Sequence, residues 1–459
     1  MARNWFRRSH RIAVIGGFQA GKTVFTTAFL NHIKHHDPNL LKLGKANKTG
    51  SLLQIHFDEE LKTKSNVSEI SRFPYEEYRA QASEKWPRKT MATSRFLCSF
   101  FVSNWHWAAG ELFVIDIPGE RYADIPMAKK DFSQWSEWLL DEVFPSKDNR
   151  NQTAAYATMF SQGDMPTAAG ILSNYKDTLT RLYKSFRPIV TPSTFLLAED
   201  GTFHGQQIFL HGNYDEALTG LNKELQFAPL PHSVMKSNPD LYAQFKKAYE
   251  RYKKILVIPL FDELQGVNEL IVLVDITTIL AANTAMKNGS RNLLQEIVKA
   301  LSPGFTPWGN IGSGLVSYMS GGHWGFNGIH KVAVVASKAD KVLSADQNIL
   351  LDLLKSMVAD FFDRQKCKIS NLEVEYFTAA ATRSAKNIAN NENQKRGYLE
   401  GTKEEAVYET SRLPGKWPGT WSEGDYAFPN VEPRFPDDEQ QAPEHIGMEQ
   451  IFNYLFDFT

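Results

Sequence analysis

The chain has 459 residues and carries 51 Lys and Arg against 52 Asp and Glu, a formal net charge of −1 at pH 7. This balance removes the long-range positive field on which most nucleic-acid-binding proteins depend, so we expect no nucleic acid partner. Hydrophobic residues make up 42% of the chain, which is enough for a large core, and the length predicts two or three domains.

The first predicted elements are a strand and a helix separated by glycines. The apolar run at residues 11–15 is typical of a buried parallel strand and stops at Gly16. Apolar side chains then recur at helical spacing from Gly21 to Ile33. The chain is therefore predicted to open as a strand–turn–helix unit.

Four further apolar strands are predicted along the chain. Residues 95–103 and 111–117 predict two strands, and the short segment 104–110 between them predicts an antiparallel connection. Residues 270–276 and 331–337 are nearly continuous apolar runs, as in parallel strands that are covered on both faces.

The distribution of strand and helix patterns predicts the domain organisation. Strand patterns, with a last and more polar one at residues 373–378, occupy both ends of the chain. Residues 122–266 instead show mainly helical spacing. We therefore expect an α/β domain built from residues 1–121 and 267–459, with a largely helical domain inserted between them.

Two long loops and a terminal helix complete the second part of the α/β domain. Residues 303–328 are rich in glycine, and residues 413–444 are rich in Pro, Trp and acidic side chains. Helical spacing returns at residues 445–456. The predicted fold class is α/β, with a doubly wound and mostly parallel sheet.

A phosphate-binding loop connects the first strand and helix. It matches G-x-x-x-x-G-K-[ST] and consists of Gly16, Gly17, Phe18, Gln19, Ala20, Gly21, Lys22 and Thr23. In such a loop, backbone N–H groups surround phosphate oxygens, the Lys22 ammonium contacts the β- and γ-phosphates, and the Thr23 hydroxyl binds Mg²⁺. The helix that continues through Val24 directs its positive end at the anion. We therefore predict a nucleotide site that includes residues 16–24.

A second motif, Asp116-Ile117-Pro118-Gly119, ends the strand predicted at residues 111–117. After a phosphate loop, an Asp at the carboxyl end of an apolar strand is the expected partner of the Mg²⁺ ion. The Gly119 N–H is unhindered and can donate to the γ-phosphate. The motif therefore predicts a loop that senses hydrolysis.

The base-binding motif is Ser337-Lys338-Ala339-Asp340, which follows another buried strand. The Asp340 carboxylate can accept hydrogen bonds from guanine N1–H and the exocyclic amine, and adenine lacks this pair of donors. The Lys338 stem can lie along the base. We therefore predict guanine as the preferred base.

A small-residue segment is predicted to complete the base site through a backbone N–H directed at guanine O6. Thr378, Ala379 and Ala380 end the sixth strand and allow such an approach. The segment 384–386 (Ser-Ala-Lys) is an alternative, although no predicted strand leads into it. We favour the first segment.

The order of these motifs resembles that of Ras-like GTPases. More closely, residues 16–23, Trp86-Pro87-x-x-Thr90, Asp116-x-Pro-Gly-Glu120 and the segment 337–340 resemble the bacterial YcjX family of stress-associated proteins. The resemblance extends over nearly the whole chain. It implies a Ras-like sheet, a stress-response role and a place near the inner membrane.

Hydrolysis requires a switch threonine before the second sheet strand. We predict Thr90, with Thr93 as the alternative, as a ligand of Mg²⁺ in the triphosphate state. Arg88 either stabilises transition-state charge from within the chain or is a solvated arginine. Glu120 stands where Ras-like enzymes usually have glutamine, and a carboxylate near the γ-phosphate is repelled. Slow intrinsic turnover is the matching expectation.

The predicted function is a cytoplasmic guanine-nucleotide switch that binds GTP or GDP with Mg²⁺ and hydrolyses GTP slowly. Two alternatives are a P-loop ATPase or kinase, and a nucleotide-stabilised scaffold without turnover. We expect a protein partner at the helical insertion or the glycine-rich loop. Arg3, Arg7 and Arg8 with Trp5 and Phe6 predict at most weak contact with an anionic membrane surface.

Overall fold

A computed structural model defines the fold. It describes residues 9–17, 20–44, 53–61, 71–84, 93–102, 105–117, 119–161, 166–196, 225–301, 329–366, 372–388, 393–400 and 404–457. These residues form two compact units. The first takes its residues from 1–122, 269–291 and 331–459, and the second from 123–268 and 292–330.

The strands of the described residues all belong to the first unit. They are β1 (Ser9–Gly16), β2 (Ile55–Glu60), β3 (Ser71–Arg72), β4 (Ser94–Val102), β5 (Trp105–Asp116), β6 (Glu269–Val274), β7 (Lys331–Ala336), β8 (Glu373–Thr378), β9 (Lys386–Asn387), β10 (Gln394–Tyr398) and β11 (Glu405–Glu409). β1 to β8 form one sheet, and β9 to β11 form a small antiparallel sheet.

The main sheet has the order β2-β4-β5-β1-β6-β7-β8, with β3 paired to β4. β1 is central and runs parallel to β5 and β6, and β6, β7 and β8 are parallel to one another. β4 is antiparallel to both β5 and β2. The predicted α/β fold class, with a mostly parallel sheet, is confirmed.

The central strands are buried along their length, as their sequences predict. Every residue of β6 and β7 is buried, and so are the last five residues of β1. A strand covered on both faces has no solvent-facing positions, which explains why these runs are continuously apolar instead of alternating.

The helices are α1 (Lys22–Lys34), α2 (Tyr75–Glu84), α3 (Phe132–Glu137), α4 (Arg150–Thr158), α5 (Ala168–Lys184), α6 (His232–Ser237), α7 (Pro239–Tyr252), α8 (Ile258–Gln265), α9 (Ile276–Ala282), α10 (Thr284–Leu301), α11 (Gln347–Lys366) and α12 (Met448–Leu455). A 3₁₀ segment, Gly119–Lys129, follows β5. Among the described residues, no helix combines the length and the apolar composition needed to cross a bilayer.

The terminal helix packs against the helix that follows the phosphate loop. The rings of Phe29 in α1 and Phe452 in α12 stack with centroids 4.4 Å apart. Burial of a side chain of this size is worth roughly 1.5–3 kcal/mol. α12 begins at Met448, later than the predicted residue 445, because Ile446 instead pairs with Ala380 through two backbone hydrogen bonds of 2.9 Å.

Two local predictions differ from the structure. Residues 105–110, predicted as a connection, belong to β5 and extend its pairing with β4. Trp105 and Trp107 are strand-favouring aromatic residues, so the connection is shorter than expected. The small sheet of β9, β10 and β11 was not predicted, because its residues are mostly polar and show no apolar alternation.

The second unit has an aromatic core. Its largest fully buried side chains include Trp135, Tyr156, Tyr175, Phe195, Phe227, Tyr249 and Tyr252. The Phe227 ring lies 5.2 Å from Trp135 and 5.3 Å from Tyr249 in edge-to-face arrangements. Such geometry adds favourable ring electrostatics to the burial of apolar area.

A buried carboxylate lies within this core. Asp124, which is 3% exposed, accepts hydrogen bonds from the hydroxyls of Thr191 (2.9 Å), Ser193 (2.6 Å) and Tyr252 (2.7 Å). The Ser193 N–H also donates to it at 2.9 Å. Burial raises the pKa of Asp124, although these hydrogen bonds oppose the shift. The carboxylate therefore acts as an acceptor that joins three separate segments of the unit.

We predict that Asp124→Asn lowers the free energy of unfolding of this unit by about 1–3 kcal/mol. The amide puts an NH₂ donor where the Ser193 N–H and the hydroxyls need an acceptor. Urea denaturation of the full chain measures the effect. The exposed Asp141 of the same unit supplies the control, Asp141→Asn, which should change the free energy by less than about 0.5 kcal/mol. Equal effects of the two substitutions would contradict the prediction.

Candidate functional site

The phosphate loop leaves the carboxyl end of β1 and enters α1. A Cβ on Gly16 would lie 2.7 Å from the Leu273 carbonyl oxygen of β6, so only glycine fits against this strand. Gly21 has φ of +84°, a conformation that glycine adopts without strain. Ala20 is buried, and Phe18 and Gln19 lie outside the described residues. A close contact at Gly16 and a positive φ at Gly21 thus explain why the motif has glycine at these two positions.

The Lys22 ammonium is held at this loop. Its Nζ donates to the carbonyl oxygens of Gly16 and Gly17, each at 3.1 Å, and the side chain is buried. Thr23 and Val24 follow in the first turn of α1, at the end of the helix that carries partial positive charge. This turn provides a cation, a hydroxyl and a positive helix end in one place, the combination that a phosphate requires.

Asp116 is the last residue of β5 and is 0% exposed. Its register partners are Val14 of β1, which leads into the phosphate loop, and Ser94 of β4. Thr93 therefore enters β4 at the same edge of the sheet and is buried. Gly119 begins the 3₁₀ segment that follows.

Oxygen donors at this edge fit a hard cation such as Mg²⁺. Thr23 contributes a hydroxyl and Asp116 a carboxylate, and Mg²⁺ prefers few protein oxygens together with phosphates and water. Thr90 and Arg88 lie outside the described residues, as does the Glu120 side chain.

The motif 337–340 is fastened directly to the phosphate loop. The Ser337 hydroxyl donates to the Ala20 carbonyl at 3.0 Å. Lys338 has φ of +57°, and its Cε lies 3.5 Å from the position of a Cβ on Gly21, so the lysine stem passes over the loop. The two residues thus connect the base-binding and phosphate-binding segments.

A buried carboxylate outside the predicted motifs holds Lys338. Asp275, at the end of β6, lies 2.9 Å from the Lys338 ammonium and caps α9 by accepting from the Thr278 N–H at 2.9 Å. Burial would raise the pKa of Asp275, but Lys338 and Lys341 and the hydrogen bonds outweigh burial and hold the pKa well below its usual value. Its sequence signal is an Asp at the end of an apolar strand, followed by two threonines.

Asp340 is 7% exposed, and its Oδ2 accepts the N–H groups of Ser384 (3.1 Å) and Ala385 (3.2 Å). Burial raises the pKa of Asp340, although these N–H groups and nearby lysine cations oppose the shift. The alternative small-residue segment therefore positions the carboxylate, a contact that the sequence did not predict.

The N–H groups of the favoured segment have other partners. Ala379 donates to the Ala336 carbonyl at 3.0 Å, and Ala380 donates to the Ile446 carbonyl at 2.9 Å. Thr378 ends β8 and precedes both. The predicted contact of these N–H groups with guanine O6 therefore conflicts with their backbone pairing.

One pocket brings residues of the phosphate-loop segment together with Lys338, Asp340 and Ala379 of the predicted base site. The lining residues are Ala20, Gly21, Val24, Phe25, Leu273, Ser337, Lys338, Asp340, Lys341, Ala379, Ala381, Thr382, Ser384, Val431 and Pro433. The phosphate loop and the base motif thus border one cavity at the carboxyl ends of β1, β6 and β7, the position at which ligands bind in open α/β sheets.

We predict that Asp275→Asn lowers the free energy of unfolding by about 3–5 kcal/mol at neutral pH, because it leaves the Lys338 cation without its carboxylate. The native pKa of Asp275 is depressed, so its contribution is complete above about pH 4 and is lost as the pH falls further. Urea denaturation from pH 8 to pH 3 should show the gap to wild type narrowing in acid. Asp352→Asn, at an exposed position of α11, is the control. A gap that widens in acid would contradict this assignment.

Comparison with known proteins places the chain in a family. The profile of the YcjX-like family, DUF463, matches residues 10–458. The chain is 28% identical over 212 residues to the Ras-like GTPase YcjX of Escherichia coli (strain K12), and this alignment spans 42% of the chain and 44% of that relative. The signal recognition particle receptor SRb-GTP/SRX complex from Chaetomium thermophilum covers 81% of this chain and 93% of its own, at 12% identity and a TM-score of 0.27. Since the family profile extends over nearly its whole length, the chain belongs to the YcjX-like family, DUF463.

Proposed function

We propose that the chain is a guanine-nucleotide switch that hydrolyses GTP slowly to GDP and phosphate. The observation that carries this proposal is the position of Asp340, whose buried carboxylate lines the same pocket as Ala20 and Gly21 of the phosphate loop. The name of the Escherichia coli relative, a Ras-like GTPase, supports it.

Base selectivity follows from the surroundings of Asp340. Both backbone N–H groups that hold it donate to Oδ2, which leaves Oδ1 as the oxygen for a ligand. Guanine offers its N1–H and its exocyclic amine as donors to this carboxylate. Adenine has an acceptor at N1, so the carboxylate would be desolvated without gaining a hydrogen bond. Because the N–H groups of Ala379 and Ala380 are engaged elsewhere, we propose that Ala381 or Thr382 supplies the donor to guanine O6.

In GTP hydrolysis, the protein mainly binds and orients the phosphates and forms no covalent intermediate with them. Lys22 and the first-turn N–H groups bind the phosphates, and the Gly119 N–H donates to the γ-phosphate. Mg²⁺, held by Thr23, Thr90 and Asp116, would neutralise charge that develops on the phosphate oxygens. Water then attacks the γ-phosphorus in line with the leaving oxygen, in an orientation that the bound groups preserve.

Slow turnover is proposed because the residue after Gly119 is Glu120. The negative γ-phosphate repels a carboxylate, so Glu120 does not replace the usual glutamine in orienting water. Arg88 is the proposed source of positive charge in the transition state. Lys22, Thr90, Gly119 and Arg88 are thus the proposed catalytic set.

The cellular role is also a proposal. Resemblance to stress-associated proteins suggests a stress-response role in the cytoplasm or at the inner membrane surface. We propose that the helical segment 122–266 or the glycine-rich segment 303–328, which lies outside the described residues, receives a protein partner.

We predict that Asp340→Asn weakens GDP binding by about 10- to 100-fold, because the charged acceptor for guanine N1–H and the amine is lost. The asparagine oxygen can still accept the Ser384 and Ala385 N–H groups, so the fold persists, and its NH₂ then faces the base. The same variant should bind xanthosine diphosphate more tightly than wild type does, because xanthine has a carbonyl in place of the amine. Isothermal titration calorimetry measures both affinities.

Two comparisons make this test decisive. Asp352→Asn should bind GDP as wild type does, since Asp352 is exposed on α11. On the wild type, GTP should displace bound GDP and ATP should not. If ATP displaces GDP as effectively as GTP does, the guanine assignment is wrong and a P-loop ATPase or kinase becomes the better description.

We predict a single-turnover GTP hydrolysis rate of about 10⁻⁴ to 10⁻² s⁻¹ that disappears when EDTA removes Mg²⁺. Arg88→Ala should lower this rate at least about tenfold with little change in GTP affinity, if the guanidinium acts only on the transition state. Lys89→Ala, which removes the neighbouring cation, is the matched control and should retain the rate.

The possible outcomes separate the alternatives. Tight GTP binding with no turnover would support a scaffold. Rapid turnover that Glu120→Ala abolishes would contradict the proposal that Glu120 limits the rate.

A further inference from the structure

A short segment of the long loop at 413–444 crosses the nucleotide pocket. Residues 430–435, the strap, are Asn430, Val431, Glu432, Pro433, Arg434 and Phe435. Two residues of the strap, Val431 and Pro433, are among those that line the pocket. No predicted nucleotide-binding motif lies in the strap. The strap is held at both ends.

The first end is attached to the small sheet and to the residue after Asp340. The Lys341 ammonium donates to Asn430 Oδ1 at 2.7 Å. The Glu432 N–H donates to the Tyr398 carbonyl of β10 at 2.7 Å. A side chain next to the base-reading carboxylate therefore anchors the start of the strap.

The second end is attached to the carboxyl terminus of α2. The Phe435 N–H donates to the Ala82 carbonyl at 3.0 Å. The Arg434 guanidinium donates to the carbonyl oxygens of Ser83, at 3.1 Å, and Glu84. The last carbonyls of a helix have no partners within it and attract cations, so this contact is favourable on both grounds.

The middle of the strap rests on the groups that orient Asp340. Val431 is buried in a small apolar cluster with Ala385, whose N–H donates to the carboxylate. The Arg434 N–H donates to Ser384 Oγ at 2.9 Å, and the Ser384 N–H also donates to Asp340. The strap and the base-reading carboxylate thus share two neighbouring residues.

We infer that the strap is a wall over the base end of the pocket and that Arg434 is its latch, so that the latch limits the rate of guanine-nucleotide release. Val431 and Pro433 offer apolar surface to the base or ribose and would have to move for a nucleotide to leave. The inference rests on the proposed function, since it takes a guanine nucleotide as the ligand.

The latch contacts a residue that lies close in sequence to the predicted switch segment. Glu84, which Arg434 contacts, is four residues before Arg88 and six before Thr90. The Arg434 guanidinium therefore links the strap to Glu84, which precedes the segment that is proposed to contact the γ-phosphate.

The test is the release of tritiated GDP from the full chain into excess unlabelled GDP. Arg434→Ala should release GDP at least about tenfold faster, because the guanidinium no longer holds the end of α2. Arg434→Lys, which keeps a cation but loses the forked geometry, should be intermediate. Arg396→Ala, at an exposed position of β10, is the matched control and should release GDP at the wild-type rate.

A second variant and a second ligand guard against a merely structural effect. Pro433→Ala removes wall surface while the latch stays, and it should also release GDP faster, by about threefold or more. The preference for GDP over inosine diphosphate, which lacks the 2-amine, should be unchanged in Arg434→Ala because Asp340 keeps its N–H contacts.

Each result has one meaning. Wild-type release rates in both Arg434→Ala and Pro433→Ala would overturn the inference while leaving the proposed function intact. Loss of the preference for GDP in Arg434→Ala would also overturn it, since the residue would then act by positioning Asp340. If the wild type binds neither GDP nor GTP, the proposed function itself fails.

Discussion

The site depends on the ion pair between the Lys338 ammonium and the buried Asp275 carboxylate, 2.9 Å apart. Asp275 directly follows β6, and Lys338 follows β7 in a left-handed conformation with its stem over Gly21. The pair therefore holds two strand ends and the phosphate loop in one arrangement. The Ser337 hydroxyl adds a neutral hydrogen bond to the same loop.

The pKa values of two carboxylates in this region, Asp275 and Asp340, are shifted in opposite directions. Asp275 has a cation in contact and three hydrogen-bond donors, which outweigh the effect of burial and lower its pKa. Asp340 is held by two N–H groups on one oxygen, and for it burial dominates and raises the pKa. The Asp275 carboxylate is fully paired within the protein, so its role is structural. The Asp340 carboxylate is desolvated and lines a pocket, so hydrogen-bond donors on a ligand would stabilise it most.

Much of the fold could be predicted because its signals are local. The continuous apolar runs of β1, β6 and β7 follow from burial on both faces, and the glycines at 16 and 21 follow from a close strand contact and a positive φ. The small sheet of β9 to β11 could not be predicted, because its polar residues carry no periodic pattern. The role of Ser384 and Ala385 was missed since only Asp340, 44 and 45 residues earlier, shows what their N–H groups bind.

The sequence by itself determined the phosphate loop, the order of the nucleotide motifs and the class of the sheet. Each of these depends on residues that are neighbours in the chain, so spacing alone reveals the chemistry. Only the tertiary structure decided that Asp275 holds Lys338, that Ser384 and Ala385 orient Asp340, and that Val431 and Pro433 border the pocket. The contacts of Lys338 and Asp340 join residues 44 to 63 positions apart in sequence. No local pattern encodes a contact that exists only after the strands have paired.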